Sequence, residues 1–240
     1  MEVLENTKEK FVFKEKFGYS LANAIRRSSF EIPVLAIDEV EFYKNDSVLF
    51  DEVLALRLGL IPLETPDDMN LPEECSCKGK GCSKCMVQLK LSVKGPATVY
   101  AENLEGKAKV IYPKIPIVKL REGQELEFVA TARLGKAINH AKYSPGLVYY
   151  KKVPKIKEIK NKEEIKNAIE VGEEEFKKLK EGKEGSDDYI GEIVGNNGSY
   201  LKIEEGEEII FSIESWGQIE AKKIFEKAIE ALKKNLKQIK

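Results

Sequence analysis

The chain has 240 residues, enough for one large domain or two ordinary ones. Charged residues make up 34% of it, but 40 basic and 41 acidic side chains nearly cancel, which excludes a general electrostatic grip on nucleic acid. Its start lacks the features of a secretory signal, and no stretch approaches ~20 consecutive apolar residues. We therefore expect a soluble cytoplasmic protein without membrane contact.

The amino-terminal residues predict a strand and then a helix. The run Phe-Val-Phe at residues 11–13 favours a short strand. Residues 19–30 predict a helix with Ser20 as its N-cap and Pro33 beyond its end. Small and apolar side chains at helical spacing form the expected inner face of this helix: Leu21, Ala24, Ile25 and Ser28.

A second strand and a second helix follow. Residues 34–44 alternate toward their end, with Val40 and Phe42 on one face, and this alternation predicts a strand. Asp51 is predicted to cap a helix over residues 52–58, which Gly59 ends.

Four cysteines lie between residues 75 and 85, and the rest of the chain contains none. They form the pattern C-x-C-x4-C-x2-C: Cys75, Cys77, Cys82 and Cys85. Two close pairs of thiolates, joined by a loop that contains Gly79 and Gly81, can converge on one tetrahedral ion. Four protein ligands fill the coordination sphere of that ion, so we expect one structural Zn²⁺ rather than a catalytic one.

The cysteine pattern leaves three other uses open. An iron–sulfur cluster also takes four cysteines, although its common loops use C-x2-C spacings. Cys82 and Cys85 by themselves fit a dithiol oxidoreductase, and two disulfides would require an oxidising compartment.

The segments after the cysteines predict a sheet. Residues 87–93 and 126–132 carry apolar side chains with a period of two, which is typical of half-buried strands in an antiparallel sheet. Pro113 and Pro116 mark strand edges or connections.

The composition shifts at Val153. Residues 154–185 are rich in Lys and Glu and predict one or two short helices, and residues 195–199 predict a turn. A strand over residues 208–214 then leads into a long amphipathic helix at about residues 218–238.

The apolar stripe of this last helix has two interpretations. Docking on the chain's own sheet accounts for part of it. The other interpretation is that the helices at 19–30 and 218–238 form one layer, whose outer face packs against the equivalent layer of another subunit. The stripe consists of Ile224, Phe225, Ala228, Ile229, Leu232, Leu236 and Ile239.

The chain lacks the residues of a catalytic centre. It has no Asp-x-Asp triplet for Mg²⁺ and no phosphate-binding loop, and its single histidine, His140, is expected to be a hydrogen-bonded structural residue. We therefore expect no catalytic site of its own. A free-standing zinc-loop nucleic-acid-binding protein is the alternative function, with these lysines as its contact surface: Lys78, Lys80, Lys84 and Lys90.

Four parts of the chain resemble the alpha-type assembly subunits of multisubunit RNA polymerases, and most closely the archaeal members, the D subunits. The resemblance runs from about residue 10 to 150 and resumes at the C-terminal helix. Its motifs are Phe17-Gly-Tyr-Ser-Leu-Ala-Asn-Ala-Ile-Arg-Arg27 with Ile32-Pro-Val-Leu-Ala-Ile-Asp-Glu-Val-Glu-Phe42, Asp51-Glu-Val-Leu-Ala-Leu-Arg-Leu-Gly-Leu-Ile-Pro-Leu63, the cysteine loop, and Asn139-His-Ala-Lys-Tyr-Ser-Pro145.

This resemblance implies an α+β fold with a discontinuous domain. Residues 1–36 and 204–240 would form a dimerisation domain of two helices on a sheet, and residues 37–152 a mainly β insert domain that carries the metal loop. Many archaeal members have a further ferredoxin-like domain that binds an iron–sulfur cluster. The matching segment here, residues 153–203, has no cysteine, so a small cluster-free insert is expected.

The resemblance also implies a non-catalytic scaffold. Family members pair with a smaller alpha-like subunit, called L, after which small subunits N and P join and the platform recruits two large catalytic subunits. Nucleic acid is contacted only through the assembled complex. Arg26 and Arg27 fall on the paired arginines of the family helix, and the resemblance implies that they contact a large subunit. The second of the pair does so in the bacterial relative, and that role is carried over to Arg27. The positions expected at the interface with L are Leu21, Ala24, Ile25, Ile224, Phe225, Ala228, Ile229, Leu232 and Leu236.

Overall fold

The structure, a computed structural model, describes residues 1–159 and 201–239. These residues form an α+β fold with more strand than helix, and no helix among them is long and apolar enough to cross a membrane. In chain order the elements are β1 (Glu2–Asn6), β2 (Lys10–Glu15), α1 (Tyr19–Ser28), β3 (Val34–Asn45), α2 (Asp51–Gly59), β4 (Met86–Lys94), β5 (Ala97–Tyr100), β6 (Glu105–Gly106), β7 (Pro116–Leu120), β8 (Glu125–Gly135), β9 (Gly146–Ile159), β10 (Leu201–Ser215) and α3 (Ala221–Leu236).

The described strands form three sheets. The first has the strand order β1-β2-β10-β9, the second has the order β3-β8-β4-β6, and the third pairs β5 with β7. By Cα proximity the chain divides into two compact units. The first unit comprises Met1–Leu4, Val12–Ala22 and the described residues within 150–211, and the second comprises Glu5–Phe11, Asn23–Tyr149 and residues 212–239.

Aromatic packing around Phe211 forms the core of the first unit. The Phe211 ring stacks on Phe13, with 5.5 Å between centroids, and on Tyr150, with 6.2 Å. The strand predicted over residues 208–214 is confirmed within β10. Within β10, Ile210 and Ser212 are as buried as Phe211, which lies between them in the sequence. Side chains on both faces of this part of the strand are therefore buried.

The second unit is built around the central strand β8. Phe128 of β8 lies opposite Phe42 of β3 on one side and Leu91 of β4 on the other, in antiparallel register. The Phe42 and Phe128 rings meet edge to face, with 5.6 Å between centroids. The predicted alternation is confirmed, because every second residue of β8 is buried: Leu126, Phe128, Ala130, Ala132 and Leu134.

The first turns of two helices differ from their predicted caps. The N–H groups of Leu21 and Ala22 donate to the carbonyl of Gly18, so the helix begins before Ser20, and Ser20 is not its cap. Helix α2 begins at Asp51 itself, without a side-chain cap. The Asp51 carboxylate instead accepts a hydrogen bond of 2.7 Å from the side chain of Asn45.

The C-terminal helix, α3, also begins later than the predicted start at about residue 218. Gly217 has a φ of 96°, which only glycine adopts without strain, and the Ser215 hydroxyl donates to the Ile219 carbonyl. This turn occupies residues that were expected to be helical, so α3 starts at Ala221.

The Lys/Glu-rich segment begins with strand. Residues 154–159 belong to β9, so the one or two short helices predicted within residues 154–185 do not include them. The remainder of that prediction, to residue 185, and the turn at 195–199 lie outside the described residues. The domain boundaries expected after residues 36, 152 and 203 fall inside β3, β9 and β10.

Two leucines of α2 provide a matched test of this packing. Leu54 is fully buried in the core of the second unit, whereas Leu56 is 58% exposed. We expect Leu54→Ala to lower the free energy of unfolding by about 2–5 kcal/mol, because it removes buried methyl groups and leaves a cavity. Leu56→Ala is expected to change it by less than about 0.5 kcal/mol. Denaturant titration measures both, and equal losses would contradict the burial pattern.

Candidate metal centre and assembly surfaces

The cysteine loop brings four sulfur atoms together. All four Sγ atoms lie within 4.8 Å of one another. The Sγ atoms of Cys75 and Cys82 are 3.5 Å apart, those of Cys77 and Cys85 are 3.5 Å apart, and those of Cys82 and Cys85 are 3.8 Å apart. A tetrahedral ion with bonds of about 2.3 Å to sulfur separates its ligands by about 3.8 Å. The four cysteines therefore fit around one such ion.

Left-handed backbone conformations produce the convergence. Gly79 and Gly81 have φ angles of 77° and 91°, as their place in the pattern predicts, and Lys78 has a φ of 54°. The Lys78 N–H donates to the Cys75 carbonyl over 2.9 Å, which closes the first turn of the loop. A side chain at position 81 would also meet Met86, whose Cε lies 2.9 Å from an ideal Cβ there.

The second cysteine pair leads directly into a strand. The Cys82 carbonyl accepts hydrogen bonds from the N–H groups of Cys85, at 3.0 Å, and Met86, at 2.9 Å, and β4 begins at Met86. Redox C-x-x-C pairs typically open a helix. The strand after Cys85 and the convergence of all four sulfur atoms favour a four-ligand metal set over an isolated dithiol.

The thiol groups of Cys77 and Cys85 have pKa values shifted in opposite directions. A hydrogen bond from Cys85 lowers the pKa of Cys77 to about 6, and burial raises the pKa of Cys85 to about 12. A divalent cation would displace the remaining protons as it binds. Because the protein supplies all four ligands, such an ion has no open position for a substrate.

Helix α3 buries only part of its apolar stripe. Ile224 and Ala228 are 0% and 2% exposed, and the Phe225 ring lies 5.9 Å from the ring of Phe11. At the other end of the helix Leu236 is 57% exposed. The half-buried members are Phe225, Ile229 and Leu232, and Ile239, after the helix, is exposed.

Helix α1 presents a different inner face from the predicted one. Ala22 and Ile25 are buried, Ala24 is half-buried, and Leu21 is 47% exposed. The prediction that Leu21 faces inward is therefore wrong, because the buried line along the helix starts at Ala22. Ser28 is buried as predicted.

Side chains of α3 also bind the segment that leads into the cysteine loop. The Lys227 ammonium lies 2.9 Å from the Asp67 carboxylate, and that of Lys234 lies 3.9 Å from Glu74, the neighbour of Cys75. The Asn235 side chain donates to Glu31 over 2.7 Å. Sequence reasoning missed these contacts, since no local pattern links residues so far apart in the chain.

The paired arginines of α1 have different environments. The Arg26 guanidinium donates two hydrogen bonds to the Asn23 side chain, at 3.1 and 2.9 Å, and lies 5.7 Å from the centre of the Phe30 ring. Arg27 is exposed and has no hydrogen bond or ion pair with the residues that the structure describes. Among the described residues, Arg26 therefore has side-chain partners and Arg27 has none.

Asp38 holds the motif at residues 139–145 against β3. Its carboxylate accepts hydrogen bonds from Lys142, at 2.8 Å, and from the Tyr143 hydroxyl, at 2.9 Å. His140 is hydrogen-bonded as predicted, because its Nδ1 accepts the Lys142 N–H over 3.1 Å. Burial alone raises the pKa of Asp38, but the hydrogen bonds from Lys142 and Tyr143 outweigh it and the pKa is lowered. Sequence reasoning missed Asp38, whose partners lie more than a hundred positions away.

The Asp38 hydrogen bonds predict a pH-dependent contribution to stability. A carboxyl group whose pKa is lowered by folding stabilises the protein above its unfolded pKa, and this contribution is lost as the pH falls through the folded pKa. We expect Asp38→Asn to lower the free energy of unfolding by about 1–2 kcal/mol at neutral pH. The difference from the unmodified chain should shrink below about pH 4.

Denaturant titrations at pH 7 and in acid measure this difference. Glu39→Gln is the control, since Glu39 makes a more exposed ion pair with Arg133 and should contribute less than about 1 kcal/mol. An Asp38→Asn effect of the same size at both pH values would contradict the assignment.

Comparisons with known proteins give the family. The model of the RNA polymerase Rpb3/RpoA insert domain matches residues 35–148. The DNA-directed RNA polymerase subunit Rpo3 of Methanothermobacter thermautotrophicus is 38% identical over 234 residues, which cover 90% of this chain and 88% of that relative. The subunit of the same name from Archaeoglobus fulgidus is 32% identical over 247 residues, covering 97% and 93%.

A further relative matches over a shorter region. The Rpo3 subunit of Thermococcus kodakarensis is 47% identical over 156 residues, which span 62% of this chain and 58% of that relative, less than two thirds of its length. The two longer matches extend over nearly the whole of both proteins. The chain therefore belongs to the Rpo3 family of archaeal DNA-directed RNA polymerase subunits.

Proposed function

We propose that the chain is a non-catalytic assembly subunit of DNA-directed RNA polymerase, which pairs with a small alpha-like subunit, L, through α1 and α3. The observation that carries this proposal is the incomplete burial of the α3 stripe. Ile224 packs inside the chain, whereas Leu236 at the other end is 57% exposed. An apolar helix face that the chain covers only in part suits a permanent protein partner.

The heterodimer then forms the platform for the other subunits. Small subunits N and P join it, and the two large catalytic subunits bind afterwards. Nucleotidyl transfer and contact with nucleic acid belong to the whole cytoplasmic complex. The exposed Arg27 is the residue proposed to contact a large subunit, because a free guanidinium can donate to several carboxylate or carbonyl oxygens at once.

The domain organisation follows from this role. Residues 1–36 and 204–240 would form the dimerisation domain, residues 37–152 the insert domain, and residues 153–203 a small cluster-free insert. The match of residues 35–148 to the Rpb3/RpoA insert domain supports the two boundaries proposed for the insert domain, at residues 37 and 152.

The metal is proposed to be a single structural Zn²⁺ bound by the four cysteines. Sulfur-only tetrahedral coordination suits zinc and iron–sulfur sites, and the short C-x-C spacing favours zinc. Bound zinc would fix the loop between the segment at residues 64–74 and strand β4, and would take no part in a reaction.

Substitution at the exposed end of α3 tests the pairing. We expect Leu236→Asp to reduce co-purification with the L subunit at least tenfold, because it places a charge on the face that L would cover. Lys233→Asp is the matched control on an exposed position of the same helix. Tagged co-expression followed by light scattering on a sizing column measures the heterodimer. Unchanged pairing of Leu236→Asp would contradict this use of α3.

Metal analysis of the purified chain tests the cysteine site. Mass spectrometry of metals should find one zinc ion per chain, and Cys75→Ala should remove it and lower the unfolding temperature. Ser76→Ala, at the neighbouring exposed position, should retain the ion. Iron with a visible absorption band would point to a cluster, and a metal-free protein with normal stability would exclude a structural ion.

A further inference from the structure

We propose that the cavity at the start of α3 binds a phosphate monoester with hydroxyl groups, such as a sugar phosphate or a nucleoside monophosphate. This inference goes beyond the proposed assembly role and does not depend on it. The cavity has a volume of about 410 Å³, and all the residues that line it belong to the second unit. A volume in this range holds a small organic ligand. The lining comes from three parts of the chain: residues 64–67, residues 107–109, and residues 217–220 with Lys223 and Lys227.

One polar side chain of the lining is buried without a partner. Gln218 is 6% exposed, and its Oε1 atom has no hydrogen-bond partner among the described residues. The main chain at this position is held in place, because the Gln218 carbonyl accepts the Thr65 N–H over 3.1 Å. A buried acceptor that lacks a donor costs about 1–3 kcal/mol. A ligand that presents an N–H or O–H group to Gln218 would remove this cost.

The first turn of α3 supplies backbone N–H groups beside this glutamine. The helix has 16 residues, with no acidic residue in its first turn and no side-chain cap. The Ala221 N–H donates to the Lys8 carbonyl over 2.9 Å. The N–H groups of Lys222 and Lys223, which follow, have no hydrogen-bond partner in the part of the chain that the structure describes. Unpaired N–H groups at a helix start, together with the helix dipole, favour an anion.

The charged side chains of the lining leave an excess of one positive charge. They are four lysines and three acids: Lys107, Lys109, Lys223, Lys227, Glu64, Asp67 and Glu220. Six of them form ion pairs of 2.9, 2.9 and 3.8 Å: Lys109 with Glu64, Lys227 with Asp67, and Lys223 with Glu220. Lys107 is exposed and has no hydrogen bond or ion pair with a described residue. It can therefore bind a phosphate group without giving up an existing pair.

The two kinds of group in the cavity select the chemistry of the ligand. The helix start and Lys107 favour a phosphate group, which is anionic and accepts several hydrogen bonds. The Gln218 amide oxygen is itself an acceptor, so it repels an anionic oxygen and pairs with an uncharged donor instead. A phosphate monoester of a sugar satisfies both requirements, because it carries hydroxyl groups beside its phosphate.

Titration calorimetry of the full chain at low salt tests the proposal with three probes: inorganic phosphate, ribose 5-phosphate and AMP. We expect ribose 5-phosphate to bind about fivefold more tightly than inorganic phosphate, because its sugar hydroxyl groups can donate to Gln218. Gln218→Leu should reduce this difference to less than about twofold, since leucine accepts no hydrogen bond. Lys107→Gln should weaken the binding of all three probes severalfold, because it removes the unpaired positive charge.

Lys119→Gln is the matched control, because Lys119 is exposed on β7 and is not part of the lining. It should bind every probe like the unmodified chain, and circular dichroism should show all variants folded. Tighter binding of AMP than of ribose 5-phosphate would identify a nucleotide as the ligand, and equal binding a sugar phosphate. Three results would overturn the inference: no binding of ribose 5-phosphate, equal affinities for ribose 5-phosphate and inorganic phosphate, or binding that neither Gln218→Leu nor Lys107→Gln changes.

Discussion

Helix α3 carries an apolar stripe that is longer than the surface that covers it within the chain. Ile224 and Ala228 are buried, but the stripe continues to Leu236, which is 57% exposed. Burial of one leucine side chain is worth about 1.5–3 kcal/mol, so the uncovered part of the stripe represents stabilisation that a partner can supply. The same helix is held to its own chain by Lys227 and Asn235. Its position is therefore set before a partner binds, which favours a preformed interface.

One short segment, residues 64–74, is contacted by α3 and leads directly into the metal loop. Asp67 and Glu74 pair with lysines of α3, and Cys75 follows Glu74 directly. A bound ion would fix the far end of this segment, since Cys85 leads straight into β4. Residues 64–74 thus connect the proposed dimerisation helix to the insert domain. This connection gives a physical reason why the proposed assembly subunit would need the proposed structural metal.

The sequence allowed prediction of the features that depend on local patterns. The period of two along β8 and the convergence of the cysteines around Gly79 and Gly81 follow from neighbouring residues. The contacts of Asp38 could not be predicted, because its partners come from a distant part of the chain. The N-caps predicted for α1 and α2 were both wrong. At α1 the Gly18 carbonyl accepts the first N–H groups in place of Ser20, and α2 has no side-chain cap. The exposed apolar stripe of Val53, Leu56 and Leu60 was missed although these residues show helical spacing, because the same helix has a second, buried apolar side that accounts for the core.

The proposed assembly role depends most on a partner covering the exposed ends of the terminal helices. Hydroxyl-radical footprinting of the chain, with and without the L subunit, measures the exposure of individual side chains directly. Leu21 and Leu236 should react in the isolated chain and become protected when L is added, while Ile224 stays unreactive and Leu147 stays reactive in both samples. Equal labelling of Leu21 and Leu236 in the two samples would contradict the assignment of these helices to the interface.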